Sequence, residues 1–429
     1  MAKQFSIKDG KPWKARFFTI WSGQALSILG SQLVQFALIW HLTVSTGSAT
    51  VLATASLVGM LPGVILGPVV GTLVDRWNRR WIMVLSDGIV AFATLVLAVL
   101  FALNIVAVWH IYVVMFIRSL AGCFHGNAMS ASTSLMAPVE NLTRIQGINQ
   151  MLNGGLNIVA APLGALLLGW LPMQGILAID VATALTAILP LFFLEIPQPE
   201  RGKDPGEARS TVWQDFKTGL RYVLGWPGLL MVSLMTVGLN FTIIPAFSLL
   251  PLMVKDYFNG GAIQLSWVEA AMGIGMFLGG ALLSVWGGFK RKILTSMLGL
   301  MGMGAGTLLL ALAPASFFHL AVGGALLVGL MSPITMGPFF AIIQSNVEPD
   351  LQARVFSLLQ SVGTAAVPLG LLVAGPLADQ LGIQAWFLLG GTLCVSMGLV
   401  GLFMPSVMNI ERKPGTVLEN LNPSSEQTA

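Results

Sequence analysis

Twelve long apolar runs constrain this chain more than any other feature of its sequence. They lie at 17–41, 49–71, 81–104, 109–135, 146–170 and 174–195, and again at 228–254, 265–287, 292–313, 317–343, 355–378 and 384–406. Each is about 20 residues or longer, enough to cross ~30 Å of hydrocarbon at a rise of ~1.5 Å per helical residue. Only 9% of the 429 residues are charged, against about a quarter in soluble domains. Mean hydropathy is +0.81. A water-soluble fold has no place to hide that much apolar surface, so lipid must be the solvent for most of the chain. Inside lipid a helix satisfies its own backbone hydrogen bonds. The expectation is an all-α membrane protein of twelve transmembrane helices.

The basic residues test this map. With both termini placed in the cytoplasm, twenty of the 22 Lys and Arg fall in the tails or in inside loops. Lys255 falls outside, and Arg118 lies within a span. An odd number of spans would destroy this bias, which orients membrane proteins through their short loops. The formal net charge of +4 is thus explained by orientation in a bilayer, and no nucleic-acid partner is expected. Residues 1–16 are polar and basic, and the apolar run after them is too long for a cleaved signal. The two cysteines, Cys123 and Cys394, sit inside apolar runs as packing residues. No Cys/His cluster implies a metal, and no cofactor is expected. No GxxxxGK[ST] loop or nucleophile–His–acid constellation occurs, so an enzyme is not expected.

The longest loop divides the chain into 1–195, a linker at 196–227, and 228–429 with its tail. Within the linker, Val212, Phe216, Leu220 and Val223 recur at helical spacing beside charged residues, predicting an amphipathic helix on the cytoplasmic membrane surface. The halves repeat. "APLGALLLG" at 161–169 matches "VPLGLLVAG" at 367–375, and Arg144 and Gln150 have counterparts in Arg354 and Gln360. This predicts two pseudo-symmetric six-helix bundles around a central cavity, the architecture of many secondary transporters.

Polar groups inside spans are costly and mark function or a partner. Arg118 lies near the middle of span four, with His125 seven residues on, as a proton relay or a packed neutral side chain. Asp180 in span six and Glu269 in span eight have no basic neighbour in their own helices. Each is a proton-carrier candidate; the alternatives are a static pair with Arg118 and, for Glu269, a place near the outer headgroups. Gln24, Ser27, Ser31 and Gln35 form one polar stripe on span one, read as cavity lining rather than helix-to-helix contacts, with Asn240 of span seven as a partner across the cavity. After span two comes Gly71-Thr-Leu-Val-Asp75-Arg76-Trp-Asn-Arg79-Arg80. Asp75 there can meet a helix N-terminus or the arginines, and Asp87 can pair with Arg79 or Arg80. Such a cluster would latch cytoplasmic helix ends in one state and release them in another; the plainer reading is a positive loop that only sets topology.

That loop resembles the G-x-L-x-D-R-x-x-R-R element of the major facilitator superfamily. Arg118-Ser-Leu-Ala-Gly122 resembles the R-x-x-x-G element of its proton-coupled drug exporters, and Ala161-Pro162-Leu163-Gly164 an altered antiporter element with Ala in place of Gly. "WSGQALSILGS", "VDRWNRRWIMVLSD", "AIDV", "GIGMFLGG" and "ARVFSLLQS" are similar to the macrolide-efflux branch. The resemblance implies proton-driven export of a bulky lipophile from a bacterial plasma membrane by alternating access, with small molecule, protons and bilayer as partners and a monomer as the working unit. Export of a siderophore or other metabolite, uptake by symport, and a non-transporting sensor on the same scaffold are the alternatives.

Overall fold

The computed structural model describes residues 13–136, 138–194, 196 and 212–411. The helices are α1 (Trp13–Thr46), α2 (Ala49–Arg76), α3 (Arg79–Ala102), α4 (Val108–Met136), α5 (Val139–Trp170), α6 (Met173–Phe193), α7 (Val212–Gly225) and α8 (Pro227–Ser248). They continue as α9 (Leu250–Leu252), α10 (Ala262–Trp286), α11 (Lys292–Leu312), α12 (Phe318–Asn346), α13 (Pro349–Leu381), α14 (Ile383–Phe403) and α15 (Pro405–Met408). Among the described residues, twelve helices are long and apolar enough to cross a membrane: α1 to α6, α8 and α10 to α14. Large apolar side chains stand exposed along them, among them Phe92, Phe193, Phe277, Val285 and Phe403. So much exposed apolar surface suits hydrocarbon, not water.

Local chemistry sets the helix ends. Asn78 caps α3, its side chain accepting from the backbone N–H groups of Arg80 at 3.1 Å and Trp81 at 3.5 Å. Gln264 accepts from the Gly261 N–H at 2.9 Å before α10, and Gly287 ends that helix at φ +73°, a conformation open to glycine. The seventh apolar run, 228–254, is not one helix. Pro245 lies inside α8, Pro251 begins α9, and a π-helical turn follows at Met253–Tyr257. Proline removes a helical donor and crowds the preceding turn, so the run breaks there. Helices α5 and α13 carry Pro162 and Pro368 at matching places and both begin ahead of their apolar runs.

The chain forms two compact units, residues 1–46 with 55–203, and residues 47–54 with 204–429. In the first, α1 packs on α5 and α6, and α3 on α4 and α6. Phe17, Ile20, Val70, Val74, Met83 and Leu191 form a buried cluster at one end. Gly30 lets α1 press against α6: a Cβ there would stand 2.2 Å from Thr183 Oγ1. In the second unit, α12 packs on α10 and α11, α14 on α11, and α8 on α13. The buried Trp386 donates its indole N–H to the Thr242 carbonyl at 3.0 Å.

Helix α7 occupies the predicted amphipathic segment, and it packs on α13 within the second unit. Val223 is buried there and Leu220 is partly exposed; the side chains of Val212 and Phe216 lie outside the described residues. The first turn of α2 also belongs to the second unit. Asp379 of α13 accepts the N–H groups of Ala49 at 2.7 Å and Thr50 at 3.0 Å, and the hydroxyls of Thr50 at 2.6 Å and Ser48 at 3.2 Å. A carboxylate at a helix N-terminus satisfies donors that have no partner in the helix itself.

Close glycine contacts hold the second unit together. A Cβ on Gly329 of α12 would lie 2.0 Å from the Met272 carbonyl oxygen of α10, whereas one on Gly323 of the same helix meets nothing. Gly329→Ala is therefore expected to cost about 1–3 kcal/mol and to lower the thermal midpoint of the purified protein, with Gly323→Ala leaving it unchanged.

Candidate functional site: a polar cavity in the first unit

A cavity of about 620 Å³ opens within the first unit, lined from α1, α2, α3, α4 and α6. The span-one stripe faces it: Gln24, Ser27, Ser31 and Gln35 all line the wall, as does Gln32. A helix repeats every ~3.6 residues, so side chains at this spacing share one face, and here that face meets the cavity. Ser56 and Met60 of α2, Ser86 and Asp87 of α3, and Arg118, Ser119 and His125 of α4 complete the polar part.

One buried charge pair organises this wall. Arg118 Nη1 forms an ion pair with Asp180 Oδ2. The Asp180 side chain is 1% exposed and that of Arg118 9%. Ser31 Oγ donates to Asp180 Oδ1 at 3.1 Å, and Thr94 Oγ1 stands 3.1 Å from Oδ2. Arg118 Nη1 also reaches Thr94 Oγ1 at 2.6 Å, and Nη2 donates to the Ser31 carbonyl at 3.3 Å. Four helices thus converge on one carboxylate. Of the two roles open to Asp180 in the sequence, the structure displays the pair with Arg118. The contribution of Thr94, a lone hydroxyl in an apolar run, was not anticipated.

A second carboxylate lies nearby. Asp87 was expected to pair with Arg79 or Arg80, and it does not. Gln24 Nε2 donates to Asp87 Oδ2 at 3.2 Å, and His125 Nε2 stands 3.5 Å from Oδ1. The two arginines bind carbonyls instead: Arg79 Nη1 that of Ala131 at 2.8 Å, and Arg80 Nη2 that of Phe192 at 2.6 Å. At ~1.5 Å per residue, α3 carries Asp87 about two turns beyond Arg79, to the cavity wall. Gly71 and Arg76 sit in the last turns of α2; the side chain of Asp75 lies outside the described residues.

Asn240 of α8 and Glu269 of α10 belong to the second unit. Asn240 stands against Gly363 of α13, its Nδ2 2.9 Å from where a Cβ would lie. Glu269 makes no hydrogen bond or ion pair among the described residues. No group of three or more His, Cys, Asp or Glu among the described residues could hold a metal ion.

Removing one partner of a buried pair strands the other charge, at a typical cost of about 3–5 kcal/mol. Arg118→Leu and Asp180→Leu are each expected to cut the folded yield and thermal midpoint sharply. The double variant is expected to recover part of that loss, measured by thermal unfolding of the purified protein.

Comparison with known proteins places these features. The chain is 36% identical over 404 residues to Macrolide efflux protein A of Streptococcus pyogenes, covering 94% of this chain and 98% of that protein. It is 35% identical over 328 residues to Macrolide efflux protein A of Enterococcus faecalis, 76% of this chain and all of that one. It is 24% identical over 394 residues to Multidrug efflux pump Tap of Mycolicibacterium fortuitum, covering 89% and 94%. Among solved structures, nucleoside transporter NupG superposes with a TM-score of 0.65 at 17% identity, over 91% of this chain and 99% of that one. A D-xylose-proton symporter gives 0.64 at 14% identity, over 89% and 96%. The family profile of the Major Facilitator Superfamily matches residues 20–363 and 230–425. With twelve membrane-length helices, an internal repeat and a polar cavity inside one repeat, this chain belongs to the major facilitator superfamily, a family of membrane transporters.

Proposed function

We propose that the chain exports bulky lipophilic drugs, macrolides among them, in exchange for protons. The observation that carries this reading is the cavity of the first unit, whose wall brings Arg118, paired behind it with Asp180, beside a second carboxylate facing a histidine. A packing scaffold has no use for four ionisable side chains there, because each is costly to bury. Histidine titrates near neutral pH and can carry a proton in and out of such a site. The remaining wall supplies amides and hydroxyls between methionine and aliphatic side chains. That suits a large, mostly apolar molecule with scattered polar groups better than a sugar or a phosphate. The similarity to proteins named for macrolide and multidrug efflux points the same way.

The proposal extends to the assembly and its motion. The working unit is a monomer in the bacterial plasma membrane, both termini cytoplasmic, and the two repeats rock about a central site by alternating access. Arg118, Asp180, His125 and Glu269 are the proton-coupling candidates. Gln24, Ser31, Gln35 and Asn240 are candidates for contact with the substrate. Gly71, Asp75, Arg76, Arg79 and Arg80 remain the candidates for a cytoplasmic latch, with Arg79 and Arg80 acting through the carbonyls they bind, whereas Asp87 belongs to the cavity wall.

Reconstitution tests the reading. Proteoliposomes acidified inside should take up labelled macrolide about ten-fold faster than protein-free vesicles with the same gradient. A protonophore should remove the excess, and Glu269→Gln should reduce it. Equal uptake with and without the gradient would contradict proton coupling; no uptake above protein-free vesicles would contradict export.

A further inference from the structure

We propose that Asp87, Gln24 and His125 form a subsite for a protonated amine of the transported molecule. The proposal rests on the export reading above and goes further, naming the group recognised and the side chains that recognise it.

The argument begins with unfilled hydrogen-bonding capacity. Asp87 and Gln24 are both buried, at 8% and 2% exposure. The Gln24 amide is oriented by its neighbour, since a carboxylate can only accept and Nε2 must therefore face Asp87 Oδ2. That leaves Gln24 Oε1 buried beside the carboxylate with no partner. His125 Nε2 is likewise buried and without a hydrogen bond, although it stands 3.5 Å from Asp87 Oδ1. Buried polar atoms are ordinarily satisfied, and exceptions call for an explanation. Both side chains line the cavity, as does Asp87.

The unfilled positions specify the ligand. Gln24 Oε1 accepts only, and Asp87 Oδ1 lacks a properly formed bond. A ligand group that completes both must donate hydrogen bonds, and beside a carboxylate a positively charged donor binds more strongly than a neutral one. An ammonium with one N–H gives that bond to Asp87 Oδ1 or shares it with Gln24 Oε1, its charge serving the other oxygen; a carboxylate or phosphate would be repelled. Asp180 cannot serve, because Arg118, Ser31 and Thr94 already occupy its oxygens. Around Asp87 the charged groups are His125 and Arg118 on α4 and Asp180 on α6. Helices α1 and α2 contribute only uncharged side chains to the lining.

A consequence for coupling follows. A single carboxylate faces two cations in turn, the imidazolium of His125 and the ammonium of the substrate. Protonation of His125 fills the site with positive charge and drives the amine off; arrival of the amine favours loss of the histidine proton. Exchange of proton for substrate can thus be written at one carboxylate.

The test uses the full-length protein in lipid nanodiscs and a matched pair of probes. One is a macrolide bearing a dimethylamino sugar, charged throughout the range examined. The other is the same macrolide with one N-methyl replaced by acetyl, uncharged at every pH. Isothermal titration should show the wild type preferring the charged probe by about ten-fold at pH 7.5. Asp87→Asn should bring that preference to about one. Affinity for the charged probe should fall as pH drops from 7.5 to 5.5, and His125→Gln should abolish that dependence. Equal binding of both probes by the wild type, an unchanged preference in Asp87→Asn, or full pH dependence in His125→Gln would each overturn the proposal. Should Asp87→Asn bind neither probe, the His125→Gln profile decides alone. A wild type that transports macrolide yet shows no charge preference would sink this subsite and leave the export reading standing; a wild type that binds neither probe would sink both.

Discussion

The ion pair between Arg118 and Asp180 is the constraint on which the first unit depends. A charge in a membrane span must find an opposite charge or water, since an uncompensated one is prohibitive in a low-dielectric surround. Here the pair lies where four helices converge. Arg118 comes from α4, Asp180 from α6, Thr94 from α3 and Ser31 from α1. The approach of α1 to α6 at Gly30 brings Ser31 within reach, and a side chain at that glycine would push the two helices apart. Hydrocarbon offers helices little reason to associate through apolar surface alone, so small residues and interhelical hydrogen bonds set which faces meet. The pair therefore fixes the register of the unit as well as neutralising its own charge.

Fixing one carboxylate leaves the other available. Asp180 is saturated by donors, whereas Asp87 has one amide donor and a histidine standing just beyond hydrogen-bond reach. Under the proposed exchange, the contrast suits a division of labour in which the Arg118–Asp180 pair holds the wall and Asp87 is the carboxylate that meets a second cation. The second unit is built differently. Its helices meet through glycines such as Gly275, Gly279 and Gly329, so backbones touch where the first unit uses charges. Among its described residues, Asp379 accepts four donors and caps the first turn of α2.

The twelve spans were legible because lipid demands long apolar helices and leaves few other readings. The stripe from Gln24 to Gln35 was legible because helical spacing alone puts those residues on one face. The seventh run misled at its end, where Pro245 and Pro251 break what hydropathy joins. Asp87 was assigned to Arg79 and Arg80 because those are its nearest cations along the chain. Its true neighbours come from the antiparallel register of α3 and α4. Asp87 and Thr94 are seven residues apart, as are Arg118 and His125, and the two spacings run in opposite directions. Asp87 therefore meets His125 and Thr94 meets Arg118. The signal was present, but it becomes visible only once the two helices are paired. Asp379 left no trace of its role, because a cap contributed across more than 300 residues depends wholly on tertiary contact.

If the cavity couples substrate to protons, binding alone must move protons, before any transport occurs. The direct measurement is proton release when a macrolide is added to purified protein in weakly buffered solution. The account predicts release of up to about one proton per bound molecule, dependent on pH and lost in His125→Gln. Saturable binding with no proton release anywhere between pH 5.5 and 8 would contradict it.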